Sequence, residues 1–215
     1  MSTPIHSCGL LTLVVGQMAT NCYILFDSRF RKAVVIDPGE DDEYIASTLA
    51  RESLTLSMIL LTHAHFDHIL AAYSLEVRFG VSTHMHKLDN FLLKRMQSST
   101  EYFLGFKPPD LPPQNINYYD GNAILLGDCR IDVLETPGHT PGSVSLYIRK
   151  EQMLFCGDLL FARGVVGRTD FVYSNIDDLH KSLHLVLGLP SNIVVYPGHG
   201  ESTTIGEERR FHSVL

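Results

Sequence analysis

The apolar run LSMILL at residues 56–61 leads directly into the segment THAHFDH at residues 62–68. A continuous apolar run of this length predicts a strand that is covered on both faces. The residues that follow it include three imidazoles and a carboxylate within six positions, at His63, His65, Asp67 and His68. Such side chains are poor core material unless each finds a partner, but they are good metal ligands. The segment therefore predicts a metal site at the end of a buried strand.

The order of strands and helices along the chain predicts an α/β fold. Strand-like runs at 10–16, 21–27 and 32–39 precede a helical pattern at 41–53, and further helices are expected at 68–80 and 87–99. A loop with four prolines at 105–117 separates this half from strands at 129–139, 143–149 and 152–158, a helix at 175–189 and a strand from 191. Both halves thus place several strands before helices, which favours two sheets stacked face to face with helices outside each. The length of 215 residues suits one domain, 1–215.

Composition and charge exclude several classes of partner. The formal net charge is −7, so neither a nucleic acid nor an anionic membrane surface is expected to bind. No apolar run approaches the roughly 20 residues that span a bilayer, and the first ten residues lack the pattern of a signal peptide. We therefore expect a cytoplasmic protein with a small-molecule substrate; nothing in the sequence sets the number of subunits.

The cysteines are widely scattered, at Cys8, Cys22, Cys129 and Cys156, and form no CxxC pair. In a cytoplasmic protein such thiols are expected to be reduced and partly buried.

Further candidate ligands follow other predicted strands. His139 follows the strand IDVLETPG, Asp158 follows MLFCG, and His199 follows IVVYPG. Strand ends at one edge of a sheet can bring their side chains to a single point. The full set holds five histidines and two aspartates, which is too many for one tetrahedral ion and fits two ions that share a carboxylate. A set without cysteine that leaves positions for water is typical of a catalytic site.

With these residues in view, the chain resembles the metallo-β-lactamase superfamily, and within it the small glyoxalase II-like hydrolases. The resemblance rests on THAHFDH, TPGHTPGS, GDLLFARGVVGRTD and YPGHGESTTIGEERR, in that order, and covers nearly the entire chain. It implies the αββα sandwich of that superfamily, which agrees with the strand and helix pattern.

The resemblance also implies a ligand set. His63, His65 and His139 would hold a first metal, Asp67, His68 and His199 a second, and Asp158 would bridge them. Two divalent ions are expected, zinc before iron or manganese, although a single ion could fill the site. The chain departs from the pattern where Ile69-Leu70-Ala71-Ala72 replaces the small glycines common after the first motif. Classical glyoxalase II also adds a C-terminal helical domain that helps to bind glutathione, whereas this chain ends soon after His199.

The implied reaction is hydrolysis of a small thioester of the S-acylglutathione type, with S-lactoylglutathione as the example. A pair of metal ions brings a water to a pKa near neutrality and polarises the carbonyl under attack. Asp67 is the candidate catalytic residue, because it could orient that water or take its proton as well as bind metal. No Glu, Tyr or Lys inside the motifs offers an obvious acid, and a thiolate leaving group needs little help. Arg168 and Asn21 are weaker candidates for substrate binding; Arg168 is expected mainly to pair with Asp170.

Other functions share these motifs. A mononuclear iron persulfide dioxygenase of the same superfamily would use His63, His139 and Asp158, and the chain retains the other ligands as well. Lactone or β-lactam hydrolysis would differ in residues at the rim of the site. A metal-binding module without activity would be expected to have lost ligands, which this chain has not.

Overall fold

A computed structural model describes residues 8–212, which contain twelve strands and seven α-helices. The strands are β1 (Cys8–Val15), β2 (Thr20–Asp27), β3 (Lys32–Ile36), β4 (Thr55–Leu60), β5 (Thr83–Met85), β6 (Ile116–Tyr118), β7 (Ile124–Leu126), β8 (Cys129–Glu135), β9 (Val144–Ile148), β10 (Met153–Gly157), β11 (Val194–Pro197) and β12 (Thr203–Thr204). The helices are α1 (Asp42–Arg51), α2 (Phe66–Ile69), α3 (Ala72–Phe79), α4 (Asn90–Leu93), α5 (Met96–Leu104), α6 (Ile176–Leu187) and α7 (Ile205–Phe211).

The strands form two mixed sheets of six. The first has the order β1-β2-β3-β4-β5-β6, antiparallel from β1 to β3 and parallel from β3 to β6. The second has the order β12-β11-β10-β9-β8-β7, in which only β10 and β11 are parallel neighbours. Since β8 and β10 are both antiparallel to β9, the strands β8, β10 and β11 all run in one direction.

Three apolar clusters separate four layers. One lies between the two sheets and includes Leu25, Leu146 and Phe155. A second packs the outer face of the first sheet against helices α1 to α5, and a third packs the second sheet against α6 and α7. Strand β2 shows the two-residue period that this requires, because Ile24 faces the helices while Leu25 faces the other sheet. The predicted αββα sandwich is confirmed.

The helix expected at 87–99 is interrupted. A 3₁₀ turn at Lys87–Asp89 and the short helix α4 come first, and α5 begins only at Met96 and extends to Leu104, where Gly105 in the left-handed conformation ends it. The apolar spacing over this stretch was compatible with one helix, so it did not reveal the break. Arg95 lies at this break, and its backbone keeps right-handed helical dihedral angles.

The expectation that all four cysteines are reduced was wrong for two of them. Cys8 and Cys129 form a disulfide, with 5.9 Å between their Cα atoms, while Cys22 and Cys156 are free and buried. Cys8 opens β1 at the edge of the first sheet and Cys129 opens β8 of the second, so the bond joins the two sheets across their shared core. The two residues are 121 positions apart, and only the stacking of the sheets brings them together. Among residues 8–212, no helix is long and apolar enough to cross a bilayer.

Candidate metal centre

Four strand ends meet at one edge of the sandwich, and each leads into predicted ligands. Strand β4 is followed by His63, β8 by His139, β10 by Asp158 and β11 by His199. The parallel direction of β8, β10 and β11 brings their carboxyl ends to the same edge of the second sheet. The beginning of β2 in the first sheet bonds to this edge, since the amide of Asn21 donates to the Gly198 carbonyl at 2.7 Å. The topology therefore brings ligands that are 136 positions apart in sequence (63 to 199) to one place.

The first set of potential ligands is the three-histidine group, His63, His65 and His139. Nδ1 of His65 lies 3.1 Å from Nε2 of His63 and 2.9 Å from Nε2 of His139. Three ring nitrogens thus face one another with no polar group between them. Such an arrangement suits a shared cation, because neutral imidazoles offer their lone pairs to a metal.

In each ring of this group, one nitrogen faces the other two rings and the second, here called the outer nitrogen, points away from them. Each outer nitrogen has its own partner. Nδ1 of His139 donates to the carbonyl oxygen of Arg168 at 2.8 Å, and Nδ1 of His63 lies 3.1 Å from the Thr62 hydroxyl. Nε2 of His65 lies 2.9 Å from the hydroxyl of Tyr173. With protons on these outer nitrogens, the inner nitrogens carry the lone pairs, as metal-ligating histidines require.

The second set is the mixed group, Asp67, His68 and His199. Oδ2 of Asp67 lies 3.7 Å from Nε2 of His68 and 3.3 Å from Nε2 of His199. The outer nitrogens are again held: Nδ1 of His68 lies 3.1 Å from Oδ2 of Asp37, and Nδ1 of His199 lies 3.2 Å from the Met18 carbonyl. The inner nitrogens therefore face the same space as the Asp67 carboxylate.

Asp158 stands between the two groups. Its Oδ2 lies 3.6 Å from Nε2 of His139, whereas its Oδ1 lies 3.5 Å from Nε2 of His68 and 3.8 Å from Nε2 of His199. One carboxylate oxygen thus faces each group, which is the position a bridging ligand needs.

The two groups differ in their preferred protonation. Burial, aided by the neighbouring imidazoles, lowers the pKa of His63 well below its ordinary value and that of His65 to about 3. Burial also acts to lower the pKa of His68, but Asp67, Asp158 and Asp37 outweigh it and raise that pKa well above its ordinary value.

The remaining mixed-group residues follow the same pattern. Burial opposes a charge on His199, yet its hydrogen bond to Asp67 raises the pKa of that imidazole. For Asp67 and Asp158, burial acts to raise the pKa, and the charge of His68 outweighs it and lowers both. Without metal, His63 and His65 are neutral, while the mixed group balances imidazolium charge against carboxylates.

Two buried polar atoms at the site lack a hydrogen-bond partner, which is a reason to expect a bound cation there. Among the described residues, Nε2 of His68 and Oδ1 of Asp158 are buried and have no hydrogen-bond partner. Both atoms point into the space between the ligand groups, and a buried polar atom without a partner is costly. A divalent cation would satisfy both at once, and all the donors are imidazole or carboxylate, which suits zinc, iron or manganese. The residues present therefore fit a pair of metal ions.

Gly198 leaves room for this centre. A Cβ atom at that position would overlap Oδ1 of Asp158 and come within 2.8 Å of Cε1 of His68. Only a residue without a side chain lets the loop before His199 lie against the Asp158 carboxylate.

A cleft of about 320 Å³ opens beside the metal site. The ligands form its floor, and its walls are largely apolar and aromatic, with two arginines at the rim. The lining residues include Met18, Phe66, Leu92, Arg95, Phe103, Arg168, Phe171, Val172 and Tyr173. A pocket of this size and lining is typical of sites for small organic molecules.

The two weaker substrate-binding candidates have other partners. The side-chain amide of Asn21 is buried and donates to the carbonyls of Pro197 and Gly200, at 3.0 and 2.9 Å, which holds the loop that carries His199. Arg168 lies at the cleft, but its guanidinium donates to both carboxylate oxygens of Asp170 at 2.6 Å, so the expected ion pair is present.

Sequence reasoning missed two residues that contact the ligands. Asp37, at the end of β3, accepts hydrogen bonds from the amide and hydroxyl of Thr62 as well as facing His68. The sequence did contain a signal for Asp37, since a carboxylate directly after the buried strand residues Val35 and Ile36 is unusual unless it has a partner. Tyr173 lies outside every motif, and nothing in the sequence distinguishes it from a tyrosine in an ordinary loop.

Comparisons with known proteins identify the family of this chain. The sequence model of the metallo-beta-lactamase superfamily matches residues 15–199. A relative from Haemophilus influenzae, named hydroxyacylglutathione hydrolase GloC, is 34% identical over 94% of this chain and 95% of its own length.

Three solved structures share the fold over most of this chain. The BLEG-1 B3 metallo-beta-lactamase is 36% identical with a TM-score of 0.86, covering 94% of this chain and 97% of its own. TTHA1623, solved in a di-iron-bound form, is 34% identical with a TM-score of 0.86, covering 95% and 100%. ETHE1 from Myxococcus xanthus is 30% identical with a TM-score of 0.76, covering 94% and 82%. On its fold, its grouped histidines and aspartates and its matched sequence, this chain belongs to the metallo-β-lactamase superfamily.

Proposed function

We propose that this chain is a dinuclear metal hydrolase that cleaves a small thioester of the S-acylglutathione type. The observation that carries the proposal is the position of Asp158, whose two carboxylate oxygens face the three-histidine group and the mixed group separately. A shared carboxylate between two ligand sets is expected of two adjacent ions, since a single tetrahedral ion needs only four donors.

We assign His63, His65 and His139 to one ion, Asp67, His68 and His199 to the other, and Asp158 to both. Zinc is the expected ion, and iron or manganese would suit the same donors. When bound, the ions supply a water acidic enough to react at neutral pH and a Lewis acid for the carbonyl oxygen. The protein holds the donors in place through the partners of their outer nitrogens.

Asp67 is the proposed catalytic carboxylate. In the metal-free chain burial opposes its charge, but the neighbouring His68 imidazolium lowers its pKa and keeps the carboxylate ionised. In the loaded site the ions would supply that positive charge in place of the imidazolium. Its Oδ2 lies toward the inner nitrogens of His68 and His199. A carboxylate in this place can accept a hydrogen bond from the attacking water and fix its direction.

Tyr173 supplies a further polar group at the cleft. Its hydroxyl accepts from His65, and burial raises its pKa to about 12, so the phenol keeps its own proton at neutral pH. That proton is available to donate to a substrate oxygen or sulfur in the cleft. A thiolate leaving group needs only such modest help, because the pKa of a free thiol is about 8.5.

The GloC relative supports a thioester substrate, since its name states hydroxyacylglutathione hydrolysis and the match covers 95% of its length. The apolar walls of the cleft are suited to an organic acyl group beside the metals. The proposed partner is accordingly a small molecule.

The deciding experiment loads the purified protein with zinc or iron, measures its metal content and assays S-lactoylglutathione hydrolysis on the same sample. We expect two ions per chain and turnover that Asp158→Asn abolishes. His184→Ala is the matched control, because His184 lies on the exposed face of α6. Two bound ions without thioester turnover would contradict the substrate.

The same sample tests the alternatives raised by the sequence. One iron per chain with oxygen uptake in the presence of glutathione persulfide would contradict the proposed hydrolase and support a persulfide dioxygenase. Faster turnover of a lactone or a β-lactam than of the thioester would place the chain with those hydrolases instead.

A further inference from the structure

We propose that Arg95 is the specificity-determining residue of the cleft and binds a carboxylate on the thiol half of the substrate. This inference rests on the proposed function and extends it. It states which chemical group the substrate must have at a distance from the reacting carbonyl. It concerns a residue that lies outside every motif shared with the family.

Arg95 lies between α4 and α5, where the chain interrupts the helix expected at 87–99. The interruption is slight, because the backbone of Arg95 keeps right-handed helical dihedral angles. Leu92, Arg95 and Ser99 therefore stay at helical spacing, and all three line the cleft. Their shared face places a guanidinium at the rim of the metal site.

Two aromatic rings hold the guanidinium. Its Cζ lies 5.4 Å from the centre of the Phe91 ring and 5.9 Å from that of Tyr173. Cation–π contacts at these distances restrict the orientation of an arginine while leaving the N–H groups free. The Tyr173 hydroxyl in turn lies 2.9 Å from Nε2 of the ligand His65. A single tyrosine side chain thus separates the guanidinium from the metal centre.

Arg95 lacks the counter-ion that the other arginine of the cleft has. Arg168 is paired with both carboxylate oxygens of Asp170. Within residues 8–212, the Arg95 guanidinium forms neither an ion pair nor a hydrogen bond, so its donors are unmatched.

The carboxylates around the cleft are already engaged. Asp67 and Asp158 belong to the ligand groups. Asp89, six residues before Arg95, is buried and accepts from the amides of Ala64 and Gly142 and the hydroxyl of Thr140. The free positive charge is therefore not balanced from inside the cleft, and a planar guanidinium is well suited to a carboxylate.

These contacts set the orientation of a substrate. The reacting carbonyl must lie at the ligands, the apolar walls take the acyl group, and an anionic end reaches the rim at Arg95. Thioesters whose thiol carries a carboxylate meet this requirement, and thioesters of neutral thiols do not. The residue should act on binding more than on the chemical step.

The kinetic test compares S-lactoylglutathione with its diethyl ester, which has the same reacting group and no carboxylates. We expect Arg95→Met, which keeps apolar contact with both rings, to raise KM about tenfold for the acid and leave KM for the ester and kcat for both nearly unchanged. Arg95→Lys keeps the charge and should raise KM less. Lys94→Ala is the matched control, because it removes the adjacent exposed charge outside the cleft. Equal effects of Arg95→Met on both substrates, or none on the acid, would overturn the proposal.

A binding test separates this proposal from the proposed reaction. S-methylglutathione is a thioether that cannot be hydrolysed, and its affinity for the metal-loaded protein is measured by calorimetry beside that of its diethyl ester. We expect the acid to bind about tenfold more tightly than the ester to the wild-type chain, and equally to Arg95→Met. If this difference is seen without thioester turnover, the role of Arg95 stands and the reaction is wrong. If turnover is seen but the acid binds no better than the ester, Arg95 has no such role.

Discussion

The three-histidine group and the mixed group lie side by side, yet they are prepared for a cation in opposite ways. In the first, His63 and His65 are kept neutral, because burial and the neighbouring imidazoles lower the pKa of both. In the second, the carboxylates overcome the effect of burial and raise the pKa of His68 and His199. A metal can bind His63 and His65 without displacing a proton from either, whereas binding to His68 and His199 requires those imidazoles to release theirs. The difference indicates that the two positions have different affinities and different responses to pH.

Removal of the residue that both groups share should have the largest effect. We expect Asp158→Ala to lower kcat/KM for the thioester about a thousandfold, because it withdraws a donor from both ions and leaves the His68 charge less balanced. Elemental analysis should show loss from both positions. His65→Ala and His199→Ala are the comparison variants and should each lose one ion. Retention of two ions in Asp158→Ala would show that the groups bind independently.

Acid should separate the two positions. Between about pH 7 and pH 5.5 we expect metal affinity at the mixed group to fall about a hundredfold, since protons on His68 and His199 compete with the ion. The three-histidine group should lose much less over this range. Metal content after dialysis at each pH measures the effect, and His65→Ala should bind one ion at pH 7 and none at pH 5.5. Loss of both ions at the same pH would contradict the comparison.

The metal-free protein should show opposite pH dependences for one histidine from each group. The folded-state pKa of His65 is about 3, below its ordinary value of 6.5, so the unfolded chain takes up its proton first and folding stability falls as pH drops through that window. At about pH 5 this disfavours the folded state by up to about 2 kcal/mol. His65→Gln should remove that loss.

His199 has the reverse sign. Its pKa is raised in the folded state, so the stability it contributes is fully present below the unfolded pKa and is lost as pH rises through the folded pKa. His199→Gln should therefore be more destabilising at pH 5 than at pH 8. Denaturant unfolding of the chelator-treated proteins measures the free energy of unfolding of both variants as a function of pH. The same pH dependence for both variants would refute the difference in protonation between His65 and His199.

The smallest expected effect comes from the partner of one outer nitrogen. Tyr173→Phe keeps the ring stacked on Phe171 but removes the acceptor for His65. We expect metal affinity at the three-histidine group to fall about tenfold, with the mixed group unchanged. Competition with a chromophoric chelator measures each affinity, and Tyr118→Phe, on an exposed strand, is the control. A change confined to the mixed group would show that Tyr173 acts by another route.

The sequence predicted the αββα layers because most of the longer strands and helices have a local apolar pattern, as Ile24 and Leu25 show on the two faces of β2. The short strands β6, β7 and β12 and the helix α7 have no such pattern and were not predicted. It also grouped the seven proposed ligands, since each follows a strand in a recognisable motif. The pairing of Cys8 with Cys129 and the contact of Tyr173 with His65 depend on how distant segments meet, and no local pattern encodes them. The break between α4 and α5 was missed for a related reason. Apolar spacing is shared by one long helix and by two short ones, so packing decides between them.

The close approach at Gly198 has a use in the comparison of sequences. Any side chain there would occupy the volume in which the Asp158 carboxylate and His68 face each other. A related chain could keep every histidine and aspartate of the motifs but replace this glycine. Its new side chain would then fill the space between the ligand groups, where the metal ions are expected. We therefore expect the residue before the last histidine to distinguish active relatives from inactive ones. A comparison of the ligand residues alone would not separate them.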